Sequence, residues 1–201
     1  MNPSERQKRF YTDIVERCGS LAGGKLEKEY RGVMLRTVGL SDGDYVLDAG
    51  CGDGMLLREF CDNFCVAVYG TDSSEDNLAE ARKNCPTGHF IASSDTKLPF
   101  CEGFFDVVTC TGFDRIDCPD LFLKQAKKVL CDGGRLYAAG LKLPEGVKKT
   151  LNTAISAASY KTRIYSMDEL AVLMHDCGFT QIRVFSKGSV MVVCGTRPAR
   201  G

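Results

Sequence analysis

Three glycines on alternate positions, Gly50, Gly52 and Gly54, follow an acidic residue, Asp48, at the end of a short apolar run that begins at Tyr45. Residues 55–60 come next, with the density of helix formers expected of an opening helical turn. A strand, a glycine turn and a helix in that order place a binding site over the turn. Glycine permits the tight backbone path there, and without a Cβ it lets a ligand lie directly on the main chain. Free N–H groups at the helix start would favour polar or anionic ligand groups. Two details narrow the chemistry. A dinucleotide turn of the form G-x-G-x-x-G needs glycine at position 55, where this chain has Met55. A carboxylate at position 48 repels a pyrophosphate but attracts an ammonium group. Three glycines this close together lower stability unless the turn uses them, which disfavours a turn without a ligand.

Other candidates follow at regular intervals. Asp72 ends the next β-prone run, 24 residues after Asp48. A carboxylate at a strand tip can accept from both hydroxyls of a ribose with its two oxygens. The plainer alternative is that Asp72 caps the helix that follows, where Ser73 and Ser74 are also cap candidates. Asp95 and Thr96 open a segment that runs on to Leu98, Pro99 and Phe100. The run 105–108 continues into Cys110, Thr111 and Gly112, and residues 129–136 read V-L-C-D-G-G-R-L.

In this order the motifs resemble those of the class I S-adenosylmethionine-dependent methyltransferases, over about residues 44–140. The nearest resemblance is to the small-molecule group that includes the ubiquinone and menaquinone C-methyltransferases. The resemblance implies S-adenosylmethionine as cofactor, an amino acid joined through a sulfonium to a nucleoside, with no phosphate. It implies Asp48, Gly50, Cys51 and Gly52 at the cofactor and Asp72 and Ser73 at its ribose. Asp95 would accept from the adenine amino group, with the Thr96 N–H at the ring. Cys110 and Thr111 would face the sulfonium and the methionine part. The match weakens at residues 113–116, Phe-Asp-Arg-Ile, where many relatives carry a histidine or an aromatic pair. Methyl transfer is an in-line displacement from an excellent leaving group, so alignment and water exclusion suffice and no catalytic constellation is required. The catalytic residues are therefore not assigned. A base, if one is used, would come from Tyr11, Asp114 or residues 142–165.

The elements that must position these residues alternate strand and helix. Strands are predicted at 44–49, 66–72, 88–93, 104–110 and 135–141, with helices at about 54–64, 74–84 and 119–130. Residues 167–177 read as a helix with a capping box from Ser166 and Glu169. Residues 180–186 and 189–196 are β-rich and separated by Lys187 and Gly188, too short for a parallel crossover, so they form an antiparallel hairpin. The fold class is α/β, a doubly wound, Rossmann-like seven-stranded sheet. The resemblance supplies the order 3-2-1-4-5-7-6. Two helices, at 4–17 and 25–38 with a loop at 19–24, precede the sheet as an N-terminal helical cap (1–40) of a single domain (1–201). Residues 142–165 are a candidate lid, with Lys142, Lys148, Lys149, Lys161 and Arg163 against the single acid Glu145. Such a lid would favour an anionic or phenolate-like substrate, unless it is only a solvated helix face.

The 201 residues carry no formal net charge, 44% hydrophobic and 26% charged residues, and no long single-sign run. That composition points to neither a nucleic-acid nor a membrane surface, and it is the resemblance that implies a small-molecule substrate. The polar N-terminus reads as neither a signal peptide nor a membrane span. Eleven scattered cysteines without C-x-x-C pairs argue against zinc and for a reduced, cytoplasmic setting. Cys51 sits at a helix start, where a thiol pKa is lowered, yet its small size beneath the cofactor is the expected role. Cys61 and Cys65 share a helix face at i, i+4, but on a helix directed away from the ligand edge. His89 and His175 have no ligand-spaced partner and read as structural. Three rivals remain: a nicotinamide oxidoreductase, disfavoured by Asp48, Met55 and the terminal hairpin; an aminopropyl transferase of the same fold, which would want an acid-rich pocket; and a non-catalytic cofactor-binding protein.

Overall fold

The computed structural model describes residues 25–157 and 163–199. The helix expected over 4–17, the loop 19–24 and Tyr11 lie outside the described residues. In chain order the elements are α1 (Lys25–Thr37), β1 (Tyr45–Ala49), α2 (Met55–Asn63), β2 (Ala67–Asp72), α3 (Glu75–Asn84), β3 (His89–Ala92), β4 (Phe105–Thr111), α4 (Pro119–Val129), β5 (Leu130–Leu141), α5 (Glu145–Ala157), α6 (Met167–Asp176), β6 (Thr180–Lys187) and β7 (Val190–Thr196). A single 3-10 turn, Phe113–Arg115, follows β4.

The seven strands form one sheet in the order β3-β2-β1-β4-β5-β7-β6. The first five strands pair in parallel, and β7 pairs antiparallel with both β5 and β6. This is the predicted order, with the hairpin closing the sheet as its two-residue connection requires. Side chains alternate across the pleat. Val46, Val107 and Ala139 face a core shared with α1, α2, α3 and α5, through Met34, Phe60, Leu78 and Leu151. Leu47, Val108 and Ala138 face a second core with α4 and α6, through Phe122 and Met174. Both layers bury whole aromatic side chains, among them Phe60, Phe113 and Phe122 at 0% exposure. That burial holds the carboxyl ends of β1, β2 and β4 in fixed register.

Helix ends follow local chemistry. Ser74 caps α3 by accepting from the Asn77 N–H at 3.3 Å. The capping box of α6 is present, with Ser166 and Glu169 bonded reciprocally. Pro119 opens α4, where a missing N–H costs nothing. No helix joins β3 to β4. Tyr69 fills that place, stacked on His89 at 5.0 Å and edge-on to Phe100, Phe104 and Phe105 at 6.0, 5.5 and 5.3 Å.

Two local expectations change. β5 begins at Leu130 rather than 135, because Leu130 already pairs with Phe105. Gly133 and Gly134 lie in the irregular start of that strand, with Gly133 at φ 80°. α2 ends at Asn63, with Phe64 extended (φ −140°) as its C-cap. Cys65 therefore lies beyond the helix, and its N–H donates to Asp42. Cys61 instead has Thr87 within 3.9 Å, and so does Cys85.

Candidate functional site

The carboxyl ends of the parallel strands line a cleft of about 540 Å³. Nine of the ten residues singled out from the sequence line it: Gly50, Cys51, Gly52, Asp72, Ser73, Asp95, Thr96, Cys110 and Thr111. Asp48, the tenth, is not part of that wall.

The glycine loop comes first. Gly50, Gly52 and Gly54 have φ of 78°, 54° and 73°, a region other residues enter only with strain. A Cβ on Gly52 would meet nothing within 4 Å, and one on Gly50 only Asp95 Oδ1 at 3.9 Å. These two glycines thus leave the space over the main chain open. Gly54 has a different reason: a Cβ there would lie 2.9 Å from that of Ala81, so it lets α2 and α3 approach. The N–H groups of the loop itself are taken. The Gly50 and Cys51 N–H groups both donate to the Thr71 carbonyl, at 2.7 and 2.8 Å. The Gly52 N–H donates to Asp72 Oδ2 at 3.0 Å, and the Gly54 N–H to the Cys51 carbonyl at 3.0 Å. The loop spends these donors on β2 and on itself, so it suits a ligand without phosphate.

Asp72 is buried, with 6% exposure, at the tip of β2. Oδ2 accepts from Gly52, and Oδ1 accepts from the Ser74 N–H at 2.8 Å and from Asn77 Nδ2 at 3.2 Å. The capping of α3 falls to Ser74, so Asp72 is not the helix cap. It joins the glycine loop to the start of α3.

Asp48 sits at the end of β1 with 1% exposure. The Thr109 hydroxyl donates to its Oδ1 at 2.8 Å. Burial pushes its pKa up to about 7, against that hydrogen bond, and the neighbouring Asp72 adds to the rise. Asp48 is therefore half neutral near physiological pH.

Asp95 and Thr96 lie in a turn closed by the Lys97 N–H on the Ser94 carbonyl at 3.0 Å. The Ser94 and Thr96 hydroxyls are 3.2 Å apart. Cys110 and Thr111 end β4 beside the loop. Burial, then the acids around them, push the Cys51 and Cys110 thiols well above the usual range. The lowered pKa that a helix start suggests for Cys51 is thus overturned by desolvation. Its sulfur lies where only a glycine at 70 leaves room: a Cβ on Gly70 would be 2.7 Å from it.

At the far end of the cleft the 3-10 turn is held from below. Phe113 is fully buried, and Asp114, 1% exposed, accepts from the Leu141 N–H at 2.7 Å and the Tyr165 N–H at 3.4 Å. A Cβ at Gly140 would press within 3.0 Å of that carboxylate. Asp114 thus fastens three segments, and it does not line the cleft. Arg115, next in sequence, does line it, together with Glu27 and Arg31 of α1. Arg115 pairs with Glu27 at 3.7 Å and Arg31 with Glu59 at 3.3 Å. Glu27 and Arg31 had no signal in the sequence, because which face of α1 meets the sheet edge depends on tertiary docking, and Asn77 of α3 reaches the cleft beside Asp72.

Among the described residues, none of 142–157 or 163–165 lines the cleft. Leu151 and Ile155 of α5 pack into the core instead. Lys148 is 7% exposed and pairs with Glu145 at 3.0 Å and Glu169 at 2.8 Å, while Arg163 also meets Glu169. Within this segment the charges of Lys148 and Arg163 are thus turned onto Glu169 and away from the cleft. Neither histidine lines the cleft: His89 stacks on Tyr69 and His175 is exposed on α6. Among the described residues all ten cysteines are free, no cluster of three metal-ligating side chains occurs, and no helix is long and apolar enough to cross a membrane.

Comparison with known proteins agrees with this geometry. Residues 46–134 match the family described as a methyltransferase domain. A demethylmenaquinone methyltransferase from Beutenbergia cavernae is 31% identical over 120 residues, 59% of this chain and 50% of that protein. The chain thus spans about half the length of that curated relative. Among solved structures, a putative methyltransferase in complex with the Haloferax volcanii Trm112 methyltransferase activator superposes with a TM-score of 0.74 at 19% identity, covering 88% of this chain and 93% of that one. Phosphoethanolamine N-methyltransferase 2 of Haemonchus contortus, in complex with S-adenosyl-L-methionine, superposes with a TM-score of 0.69 at 16% identity, covering 86% of this chain and 53% of that one. At such identities the two structures speak for the fold.

Proposed function

We propose that the chain, whose residues 46–134 match a methyltransferase domain, is a class I S-adenosylmethionine-dependent methyltransferase that transfers a methyl group to a small-molecule acceptor. The observation that carries the reading is the row of groups along the carboxyl ends of β3, β2, β1 and β4. Asp95, Asp72, the open main chain of Gly50 and Gly52, and Thr111 follow one another in one cleft.

When bound, S-adenosylmethionine supplies an activated methyl group on a positively charged sulfur. The chain supplies position. Asp95, with Thr96, receives the adenine edge. Asp72 accepts from the ribose hydroxyls, with Ser73 beside it. Gly50, Cys51 and Gly52 form the floor, and Cys110 and Thr111 flank the reacting sulfur. Asp48 lies behind the floor and adds negative potential there when ionised. The raised thiol pKa of Cys51 and Cys110 keeps them protonated, so neither competes with the acceptor as a nucleophile. Asp114 is occupied in holding the 3-10 turn and is not assigned as a base. Residues 25–40, which bring Glu27 and Arg31 to the cleft, cap the site within one domain. The ten free thiols support a reducing, cytoplasmic setting. The relative from Beutenbergia makes a demethylmenaquinone-like quinol the first acceptor to try.

Calorimetric titration with S-adenosylhomocysteine, beside NAD, tests the cofactor. Heat from the former alone is expected, and binding of NAD alone would sink the reading. A methyl-transfer assay with a panel of quinols, phenols and amines then tests the acceptor class.

A further inference from the structure

We infer that the Glu27–Arg115 ion pair is the site for the zwitterionic amino-acid head of the cofactor, with Arg115 taking the α-carboxylate and Glu27 the α-ammonium. This rests on the cofactor reading above and names residues that neither the motifs nor the comparisons assign. Four observations carry it.

The first is reach. Asp95 follows β3, Asp72 ends β2, the glycine loop follows β1 and Gly112 follows β4. Three inter-strand spacings separate the ends of this row, about 14 Å. An adenosine bearing a four-carbon amino-acid arm on its sulfur spans such a distance when extended. With the adenine at Asp95 and the ribose at Asp72, the arm ends past β4, where Arg115 and Glu27 line the cleft.

The second is charge. The head group carries one anion and one cation on the same carbon. Glu27 and Arg115 present the opposite pair 3.7 Å apart, with 52% and 33% side-chain exposure. A loose, partly exposed pair of this kind contributes little to stability. A zwitterion can enter between its members, its anion on Arg115 and its cation on Glu27.

The third is fixation. Arg115 stands on a turn whose two preceding residues, Phe113 and Asp114, are buried, and its own N–H donates to the Gly112 carbonyl at 2.9 Å. Its guanidinium lies flat over Gly112. A Cβ there would meet Nη2 at 2.3 Å, and Gly112 has φ 76°. The backbone thus reserves a place for this side chain, which lowers the entropy lost when it grips an anion.

The fourth is the loop. The N–H groups of Gly50, Cys51 and Gly52 are committed to Thr71 and Asp72, so the glycine turn does not use them on the α-carboxylate. That anion needs a donor elsewhere. Arg31, the other arginine in the cleft, is tied to Glu59 of α2 at 3.3 Å, with both partners less exposed than the Glu27–Arg115 pair.

The experiment compares two ligands by calorimetry: S-adenosylhomocysteine, and 5′-methylthioadenosine, which has the same nucleoside and sulfur without the amino-acid head. In the wild type the former should bind more tightly. Arg115→Ala should weaken S-adenosylhomocysteine by about ten-fold or more, the loss of a charge-assisted paired contact, and leave 5′-methylthioadenosine unchanged. Glu27→Gln should reduce the same preference by less, and Arg31→Ala should preserve it. A ligand-side test avoids dependence on folding of the variants: the carboxamide of S-adenosylhomocysteine should bind the wild type about as weakly as the parent binds Arg115→Ala, with no additional loss when both changes are combined. Equal loss of both ligands in Arg115→Ala, no loss of either, or a preference abolished by Arg31→Ala overturns the assignment. Equal wild-type affinity for both ligands overturns it while leaving the cofactor reading intact. Failure of the wild type to bind either ligand overturns both.

Discussion

Exchanging Asp72 for asparagine separates a ligand-binding carboxylate from a structural one. In the free protein this side chain accepts hydrogen bonds from Gly52 on Oδ2, and from Ser74 and Asn77 on Oδ1. An asparagine has one oxygen. The less costly orientation keeps that oxygen toward Ser74 and Asn77 and turns the amide NH2 against the Gly52 N–H, donor against donor. One charge-assisted bond is then lost, about 1.5–3 kcal/mol. For a chain of this length that corresponds to a fall in Tm of roughly 3–12 °C. Binding suffers separately. Each ribose hydroxyl that loses a carboxylate acceptor forfeits a contact of the same class, so affinity for S-adenosylhomocysteine should fall by at least about ten-fold. Ser74→Ala is the control. It removes the side-chain cap on the Asn77 N–H, costing about 1 kcal/mol, and should leave affinity alone. The assay sets calorimetric dissociation constants beside melting temperatures, at a temperature where every variant is folded. A folded Asp72→Asn protein with wild-type affinity would refute the ribose assignment, whatever its melting temperature.

Asp48→Asn should remove a pH dependence. Its folded pKa, pushed up to about 7 chiefly by burial, lies above the unfolded value, so the native state holds the proton more tightly. Stability from this group is therefore greatest below about pH 4 and declines as pH rises to about 7, by on the order of 4 kcal/mol. Denaturant titrations at several pH values should show this decline in the wild type but not in the asparagine variant, and parallel profiles would show that Asp48 is not the titrating group. Glu169 acts in the opposite sense. Burial would raise its pKa, but the Lys148 ammonium and the Ser166 groups outweigh that and hold it down to about 2. Its contribution should be present above about pH 4.3 and be lost toward pH 2, and Lys148→Met should shift acid unfolding to higher pH. Cys51→Ala should bind S-adenosylhomocysteine like the wild type. Cys51→Leu should bind it weakly, since the sulfur already occupies the space that Gly70 leaves. Loss of turnover in Cys51→Ala with binding intact would contradict a purely spatial role.

The alternation of strands and helices was legible because each β-prone run is short, apolar and punctuated by Asp, Ser or Gly. The terminal hairpin was legible from two residues, Lys187 and Gly188. The site was legible where one residue carries both a type and a strand-end position, as at Asp72, Asp95 and the glycines. What stayed hidden depends on contacts distant in sequence. Lys148 reads as part of a positive segment until Glu169, 21 residues on, folds against it. Asp114 reads as a candidate base until Leu141 and Tyr165 fill its oxygens. That the Thr71 carbonyl takes the Gly50 and Cys51 N–H groups has no local signal, because Thr71 belongs to the neighbouring strand. Asp48 has the right type and place, but its distance behind the cleft wall is set by the pleat of β1 and the Thr109 hydroxyl of β4.

The Thr71 carbonyl, which accepts from both Gly50 and Cys51, has a kinetic consequence. A glycine-rich loop left to itself samples many shapes, and a ligand must wait for the fitting one. Here one oxygen on the neighbouring strand ties two successive amides, and Asp72 ties a third. The floor of the cleft is therefore in its receptive shape before any ligand arrives. No rearrangement of the glycine loop itself then has to precede capture.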